Sequence, residues 1–213
     1  MATEVEARFR AADDETLARL AAVERIGGAD IGPPVPVDEE DRYLDTDDGR
    51  MAAARWACRL RTRDGVTRIS LKGPSSAPVG ADPWLHRRPE VEGPASATLD
   101  PAAWPPSAAR DRLLELTGGG ELHERFRLLQ RRTERPVSIG GRALGTLTLD
   151  AVRIVHAGRE IGDLRIVELE LAAPDRAAEA SLAELAHTLS EVPGLEPEAR
   201  TKLEQASARM ERM

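Results

Sequence analysis

Charged side chains recur at every second position in several short segments, and these residues have the types and spacing that chemistry requires. Alternate side chains of a β-strand point to the same face, about 7 Å apart, so each segment would carry charge on one face and apolar groups on the other. The rows are Glu4, Glu6 and Arg8; Arg59, Arg61 and Arg63; Arg68, Ser70 and Lys72; Arg88, Glu90 and Glu92; Thr146, Thr148 and Asp150; and Glu168 with Glu170.

The residue types in these rows suit a polyanion that is bridged to the protein by a divalent cation. Pairs of carboxylates hold Mg²⁺ or Mn²⁺, which are hard cations that prefer oxygen ligands. Arginines bind phosphate oxygens bidentately and spread the charge that develops during phosphoryl transfer. A divalent metal also lowers the pKa of a water molecule near it and can so supply a nucleophile.

Turn residues and hydrophobic periodicity divide the chain into strands and amphipathic helices. The Asp64-Gly65 pair between two alternating runs, for example, predicts a β-hairpin. Strands are predicted at 4–9, 42–46, 58–63, 67–72, 88–92, 130–137, 145–152 and 166–171, helices at 13–25, 108–116, 177–191 and 198–212, and loops at 27–36 and 73–83. No internal repeat or shift in composition marks a boundary, so the pattern predicts one α+β domain.

The helices decide which way the charged strand faces turn. One charged strand face by itself usually lies on the wet side of a sheet. Here the amphipathic helices must bury their apolar faces, and the apolar strand faces are the surface available to them. The charged faces are therefore expected to line the interior of a closed or nearly closed sheet, where charges are costly unless they pair or bind ions.

Composition narrows the classes of function. The net charge of −7 argues against a general binder of nucleic acid or of anionic membranes, and no apolar run reaches transmembrane length. The single cysteine, Cys58, excludes an internal disulfide and fits a reducing compartment, so we expect a cytoplasmic protein. Cys58 alternates away from the arginines and is expected in the core.

Rare residue types add smaller hints. Lys72 and Lys202 are the only lysines among 30 basic residues, and Tyr43 is the only tyrosine. The four histidines lack the spacing of metal ligands and are expected at surface or packing positions. The glycines at 118–120 do not precede a Lys-Ser/Thr pair, so the chain has no P-loop.

The charged motifs, taken in order along the chain, resemble those of the CYTH family, also called triphosphate tunnel metalloenzymes. The resemblance covers nearly the whole chain, and the ordered set is specific although no single motif is. It rests on Glu4-x-Glu6-x-Arg8 near the N-terminus, Leu60-Arg61-Thr62-Arg63, Ser70-Leu71-Lys72, Asp150 at the end of an alternating strand, and Val167-Glu168-Leu169-Glu170.

The resemblance implies a single domain over residues 1–213, an eight-stranded antiparallel β-barrel (a tunnel) with helices packed outside. It implies Mg²⁺ or Mn²⁺ as the cofactor, bound by Glu4, Glu6, Asp150, Glu168 and Glu170. It implies that a triphosphate is held by Arg8, Arg59, Arg61, Arg63, Lys72, Arg132 and Lys202. The catalytic residues by the same resemblance are Arg8, Tyr43 and Lys72.

One position departs from the family pattern, because the first motif usually ends in lysine and here ends in Arg8. In some family members that lysine is thought to act beside a tyrosine in activating water, and Tyr43 could occupy such a place. Arginine does not release its proton at working pH, so metal-activated water is the preferred nucleophile.

The expected function is hydrolysis of the terminal phosphoanhydride of a triphosphate. Inorganic triphosphate is preferred because aromatic residues make up only 3% of the chain and no aromatic pair is placed to stack a base or a thiazole. The alternatives are a thiamine triphosphatase, a class IV adenylate cyclase-type enzyme, or a non-catalytic protein that binds polyphosphate or nucleotide. The expected partner is a small-molecule triphosphate, without nucleic acid or membrane, and the expected state is a monomer or homodimer.

Overall fold

The computed structural model describes residues 2–76 and 82–212, and it contains all eight predicted strands, several of them longer than predicted. The strands are β1 (Ala2–Ala11), β2 (Arg25–Ile26), β3 (Ala29–Ile31), β4 (Val35–Thr46), β5 (Ala57–Arg63), β6 (Val66–Lys72), β7 (Leu85–Pro94), β8 (Leu122–Ile139), β9 (Arg142–His156), β10 (Arg159–Leu171) and β11 (Leu195–Pro197). The helices are α1 (Asp14–Ala22), α2 (Arg50–Ala53), α3 (Ala108–Thr117), α4 (Arg176–Ser190) and α5 (Lys202–Met210), with a short 3-10 helix at Pro101–Ala103.

Eight of the strands form a closed antiparallel barrel. Their order is β8-β4-β5-β6-β7-β1-β10-β9, and β9 pairs with β8 to close the ring. The short β2 and β3 extend the sheet beside β8, and β11 pairs with β1. The prediction of a single α+β domain built on an eight-stranded barrel with helices outside is confirmed.

The register of the strands turns the charged rows toward the interior of the barrel, which we call the lumen. Glu4 pairs with Arg88 across β1 and β7, and Glu6 pairs with Glu170 across β1 and β10. Because directly paired residues of an antiparallel sheet lie on the same face, one inward charge in each strand places the whole row inward. The alternation in the sequence thus becomes a division between a polar interior and an apolar exterior.

Four helices cover the apolar outside of the barrel in two clusters. α1 and α4 pack over β1, β9 and β10, and α2 and α3 pack over β5 and β6. Each large side chain buried in this way stabilises the fold by about 1.5–3 kcal/mol. The first cluster includes Phe9, Leu17, Leu147, Val167 and Leu185, and the second includes Met51, Cys58, Leu60, Ile69 and Leu113.

The fifth helix, α5, contacts a third apolar cluster that faces into the barrel. Phe126 and Leu128 share the face of β8 that also carries Arg132, so the inward row of that strand changes from apolar to charged. Ala206 of α5 is fully buried against this cluster, which also contains Ile154 and Ile166. α5 therefore lies across one end of the lumen and covers its apolar part.

Some element bounds differ from the sequence prediction for identifiable reasons. β4 begins at Val35 rather than 42, and the predicted loop at 27–36 contains β3. α5 begins at Lys202 rather than 198, because Thr201 forms a capping box with Glu204. The predicted loop at 73–83 falls partly on residues 77–81, which lie outside the described residues.

No helix in the described ranges has the length and hydropathy that a membrane span needs.

Candidate active site in the barrel lumen

The polar part of the lumen is a cavity of about 160 Å³ lined by charged side chains from six barrel strands and α5, and by Tyr43 of a seventh strand, β4. The register explains this convergence, since each strand contributes one to three residues of its inward row. The predicted site residues that line the cavity are Glu4, Glu6, Arg8, Tyr43, Arg59, Arg61, Lys72, Arg132, Glu168, Glu170 and Lys202. Asp150 does not line the cavity itself but is bound by Arg132 and Lys202, which do. Arg63 lies outside the cavity, and its Nη1 is 2.7 Å from Oε1 of Glu134.

Three carboxylates form the group best suited to a divalent cation. Glu4, Glu90 and Glu170 each place one oxygen within 4.8 Å of the others. Enclosure in the barrel and the charges of Glu4, Glu6 and Glu90 raise the pKa of Glu170 to about 7. Clustered carboxylate oxygens are the donor set that Mg²⁺ or Mn²⁺ prefers, so these residues fit the cation that the sequence led us to expect.

A second acidic pair lies deeper, and in this structure cations neutralise it. Lys202 places its Nζ 2.5 Å from Asp150 Oδ2 and 2.8 Å from Glu168 Oε2. Arg132 donates to both oxygens of Asp150, at 2.7 and 2.8 Å. Burial alone would raise the pKa values of Asp150 and Glu168. The positive charges of Lys202 and Arg132 outweigh this effect at both residues, and Arg8 adds to these charges at Glu168. Both pKa values therefore lie below their usual range. The five predicted metal ligands therefore separate into two groups.

Arg8 lies between these two acidic groups. It is buried, donates from Nε to Glu168 at 2.8 Å and from Nη2 to Glu6. Burial by itself would lower the pKa of Arg8, but the charges of Glu6 and Glu168 outweigh it and raise the pKa above its ordinary value. Arg8 is thus a permanent cation at the centre of the lumen and not a proton acceptor.

Asp41 and Glu39 are lumen residues that the sequence analysis did not select. Asp41 is fully buried and accepts a bidentate pair from Arg61 at 2.7 and 2.8 Å, and Arg59 lies 3.5 Å away. Arg61 also reaches Glu39 at 3.1 Å. Burial opposes ionisation, yet Arg59 and Arg61 hold the pKa of Asp41 well below its usual range. Their even spacing before Tyr43 was the available signal, because inward residues of one strand lie two apart.

Tyr43 marks the boundary between the charged lumen and its apolar end. Its ring stacks on Phe126 with centroids 4.9 Å apart, and in the register it faces Arg59. Among the described residues, no hydrogen bond joins Tyr43 to Arg8. The structure thus brings the three predicted catalytic residues to one cavity without placing Tyr43 in contact with Arg8.

His86 differs from the other histidines because it points into the lumen. It is 6% exposed, and its ring contacts Arg8 and the backbone of residue 198. Burial and the charge of Arg8 lower the pKa of His86. The expectation of an ordinary surface or packing role did not anticipate this position, since a lone histidine carries no motif of its own.

The fold and site define a class of protein in which a closed barrel encloses a charged cavity. The family model of the CYTH domain matches residues 2–202, and the chain belongs to this family. A comparison with curated protein sequences gives no significant match.

Solved structures share this fold at low sequence identity. HpAC1 from Hippeastrum, a proposed adenylyl cyclase with a dominant triphosphatase activity, aligns with a TM-score of 0.64 and 16% identity over 96% of this chain and 95% of that one. A proposed adenylate cyclase of Bacillus halodurans has a TM-score of 0.59 and 20% identity over 96% and 98%. The Mimivirus capping enzyme triphosphatase has a TM-score of 0.50 and 12% identity over 87% and 88%. At these identities the likeness concerns the fold.

Proposed function

We propose that this protein hydrolyses the terminal phosphoanhydride of a triphosphate with the help of Mg²⁺ or Mn²⁺, and that inorganic triphosphate is its substrate. The observation that carries the proposal is the convergence of seven cationic side chains with the carboxylates Glu4, Glu90 and Glu170 in one cavity. The cations are Arg8, Arg59, Arg61, Lys72, Arg88, Arg132 and Lys202.

The ion pairs in the lumen support binding of a metal and a polyanion together. Lys72 pairs with Glu4 and Glu90, and Arg88 reaches Glu4 at 3.2 Å. A triphosphate offers these cations stronger acceptors than a carboxylate does, and a metal ion offers the released carboxylates a new counter-charge. An exchange of partners of this kind leaves few buried charges unpaired, which avoids the largest cost of opening the network.

Glu4, Glu90 and Glu170 would hold the metal, with Glu6 beside them, and the metal would supply charge neutralisation and a water of lowered pKa. The arginines would hold the triphosphate in line and bear the charge that develops on its oxygens. In the overall reaction a water oxygen bonds to the terminal phosphorus and the bridging P–O bond breaks, giving pyrophosphate and orthophosphate. Arg8 serves as an electrostatic group, since it stays protonated.

The size and lining of the cavity favour a small inorganic substrate. Sites for drug-sized ligands usually measure about 300–1,000 Å³ and are largely apolar. This cavity is smaller, at about 160 Å³, and its lining residues are charged or carry a hydroxyl group except at Ala57 and Leu203. Thiamine triphosphate and a nucleotide that is cyclised remain alternatives to be assayed, as does binding without turnover.

The experiment is phosphate release from triphosphate, pyrophosphate, ATP and thiamine triphosphate, with Mg²⁺, Mn²⁺ or EDTA, together with an assay for cyclic AMP. We expect triphosphate turnover that needs metal and that falls at least 100-fold in Glu4→Gln. Glu184→Gln, on the exposed side of α4, is the matched control and should retain full activity. Full activity of Glu4→Gln, or turnover in EDTA, would overturn the proposal, and metal-dependent binding without turnover would replace it with a binding protein.

We infer that the protein acts on a small molecule in the cytoplasm, as a monomer or homodimer, without nucleic acid or membrane as a partner.

A further inference from the structure

His86 connects the barrel to the segment that leads into α5. Its Nε2 lies 2.9 Å from the carbonyl oxygen of Glu198, and its Nδ1 lies 3.5 Å from Nη1 of Arg8. The side chain sits on β7 directly opposite Glu6 of β1. One ring therefore bridges a side chain of the lumen and the backbone of a segment 112 residues further along the chain.

The polarity of the two partners fixes the proton on this ring. A carbonyl oxygen only accepts and a guanidinium group only donates, so Nε2 must carry the hydrogen while Nδ1 accepts from Arg8. This neutral tautomer satisfies both contacts. A protonated ring would instead direct an N–H toward the guanidinium of Arg8.

All three nitrogens of Arg8 are used by different partners. Nε bonds Glu168 and Nη2 bonds Glu6, which leaves the two hydrogens of Nη1 for His86 and for the carbonyl oxygen of Arg200 at 3.3 Å. A lysine has a single nitrogen and could not span these four acceptors. The contacts explain how this chain accommodates arginine where the family motif usually has lysine.

The same contacts hold the segment before α5. The backbone N–H of Glu198 donates to the carbonyl oxygen of Arg8 at 3.0 Å, and its own carbonyl accepts from His86. Gln205 of α5 also donates to the carbonyl of Arg200, at 3.2 Å. Lys202 is the first residue of α5, and its Nζ donates to Asp150 and Glu168. Arg8 and His86 thus anchor the point at which α5 enters the lumen.

We propose that His86 is a positioning residue for substrate binding, which orients the guanidinium of Arg8 through Nδ1 and fixes the start of α5, and with it Lys202, through Nε2. The inference rests on the proposed function for the role of the substrate. Its two contacts can be separated, because asparagine places a polar atom near Nδ1 and glutamine places one near Nε2.

The first test measures the contact with α5 and needs no catalysis. Backbone hydrogen exchange over residues 198–202 should rise at least tenfold in His86→Asn and His86→Ala, and stay near the wild-type rate in His86→Gln. His187→Ala, at an exposed position of α4, is the control and should leave this exchange unchanged. Unchanged exchange in His86→Asn would overturn the link to α5, and this variant keeps the test open if His86→Ala does not fold.

The second test measures the contact with Arg8 by calorimetric titration with triphosphate in the presence of Mg²⁺. We expect about tenfold weaker binding in His86→Gln, and KM rising more than kcat falls. In the Arg8→Lys background the same substitution should weaken binding less than twofold, because the guanidinium it orients is gone. Additive losses in the double variant would show that His86 acts independently of Arg8. If wild-type protein binds triphosphate but does not hydrolyse it, the proposed function fails while this coupling is still measured.

Discussion

Glu170 is the lumen carboxylate whose charge the protein alone leaves uncompensated. No ion pair joins it to any residue in 2–76 or 82–212, and Glu4 and Glu90 lie beside it. Two cations that line the same cavity, Lys72 of β6 and Arg88 of β7, pair with Glu4 instead. Such an arrangement trades stability of the metal-free protein for a place where a cation binds.

Glu170→Gln should therefore stabilise the metal-free protein and remove its response to metal. Loss of the carboxylate charge relieves repulsion, while the amide is a poor ligand for a hard cation. We expect a higher Tm in EDTA than for wild type and a much smaller increase on adding Mn²⁺, both measured by thermal unfolding. Glu184→Gln on the surface of α4 should change neither value, and a metal response equal to that of wild type in Glu170→Gln would exclude this carboxylate as a ligand.

The pH dependence of stability in EDTA follows from the same carboxyl. The pKa of Glu170 rises from about 4.5 to about 7 on folding, so the folded state binds the proton more tightly than the unfolded state does. Stability is then lost between pH 4.5 and 7 and levels off above that range. The difference in unfolding free energy between Glu170→Gln and wild type should grow across this window to on the order of 1 kcal/mol. This free energy is smaller than the full pKa shift would give, because solvent reaches the side chain and screens its charge. Urea titrations at pH 4, 5.5 and 7.5 measure it, and a difference independent of pH would contradict it.

At the scale of the elements, Arg135 shows that not every buried arginine in this barrel serves the lumen. It points outward from β8 and donates to the carbonyl oxygens of Leu20, Ala21 and Val23 at the end of α1, and to those of Gly32 and Ile31. Ala21 and Val23 lie at the C-terminus of α1, where carbonyls are left without intrahelical partners. Arg135 thereby caps the C-terminus of α1 and holds β3 against the barrel.

Arg135→Ala should cost about 2–4 kcal/mol of unfolding free energy, since it leaves several buried carbonyls without donors. KM and kcat for the folded variant should stay within about twofold of wild type, because Arg135 does not reach the cavity. Urea unfolding and steady-state kinetics make the comparison. Arg131→Ala, at an exposed position four residues earlier on β8, should change stability by no more than about 0.5 kcal/mol. A large loss of activity with unchanged stability would show that Arg135 has a role in the site.

The strands could be predicted from the sequence where charge and apolarity alternate, as in 58–63, and not where both faces are acidic. Residues 38–41 read Asp-Glu-Glu-Asp, so their charges do not distinguish the inward Glu39 and Asp41 from the outward Asp38 and Glu40, and only the two-residue spacing from Tyr43 does. His86 lies at the start of β7, before the predicted strand at 88–92. Its role depends on the backbone of Glu198, which periodicity cannot locate.

The environment of Lys202 also could not be predicted from the local sequence pattern. Helical periodicity predicted a helix from 198, which would have given Lys202 an interior position on it. The capping box at Thr201 makes Lys202 the first helical residue, and docking of α5 across the barrel end buries its ammonium group. Identification of Lys202 as a site residue came from the family resemblance, and only the tertiary structure shows which carboxylates it meets.

At the scale of the whole molecule, the three apolar clusters share one closed hydrogen-bonded sheet. Trp84 packs in the cluster under α1 and α4, and Trp56 and Trp104 pack in the cluster under α2 and α3. Both of these clusters pack on strands of the same sheet, so neither can unfold without breaking strand pairs that also support the other. The molecule is therefore expected to behave as one cooperative unit.

We expect a single unfolding transition in urea, with the tryptophan fluorescence and far-UV circular dichroism curves superimposed. Saturating Mg²⁺ and triphosphate should move both curves together to higher urea, because the ligands bind only the closed barrel. Two separated transitions, or a shift confined to one probe, would show that part of the molecule unfolds independently of the lumen.

The place of β1 in the ring has a consequence for how the protein is made. Of the barrel strands β1 is synthesised first, but it lies between β7 and β10, pairing Glu4 with Arg88 and Glu6 with Glu170. During synthesis the carboxylates of β1 have no partners until β7 and β10 have emerged from the ribosome, and both edges of β1 stay unpaired until then. No partly translated chain contains a smaller version of the cavity. The cavity and the complete fold therefore form in the same step.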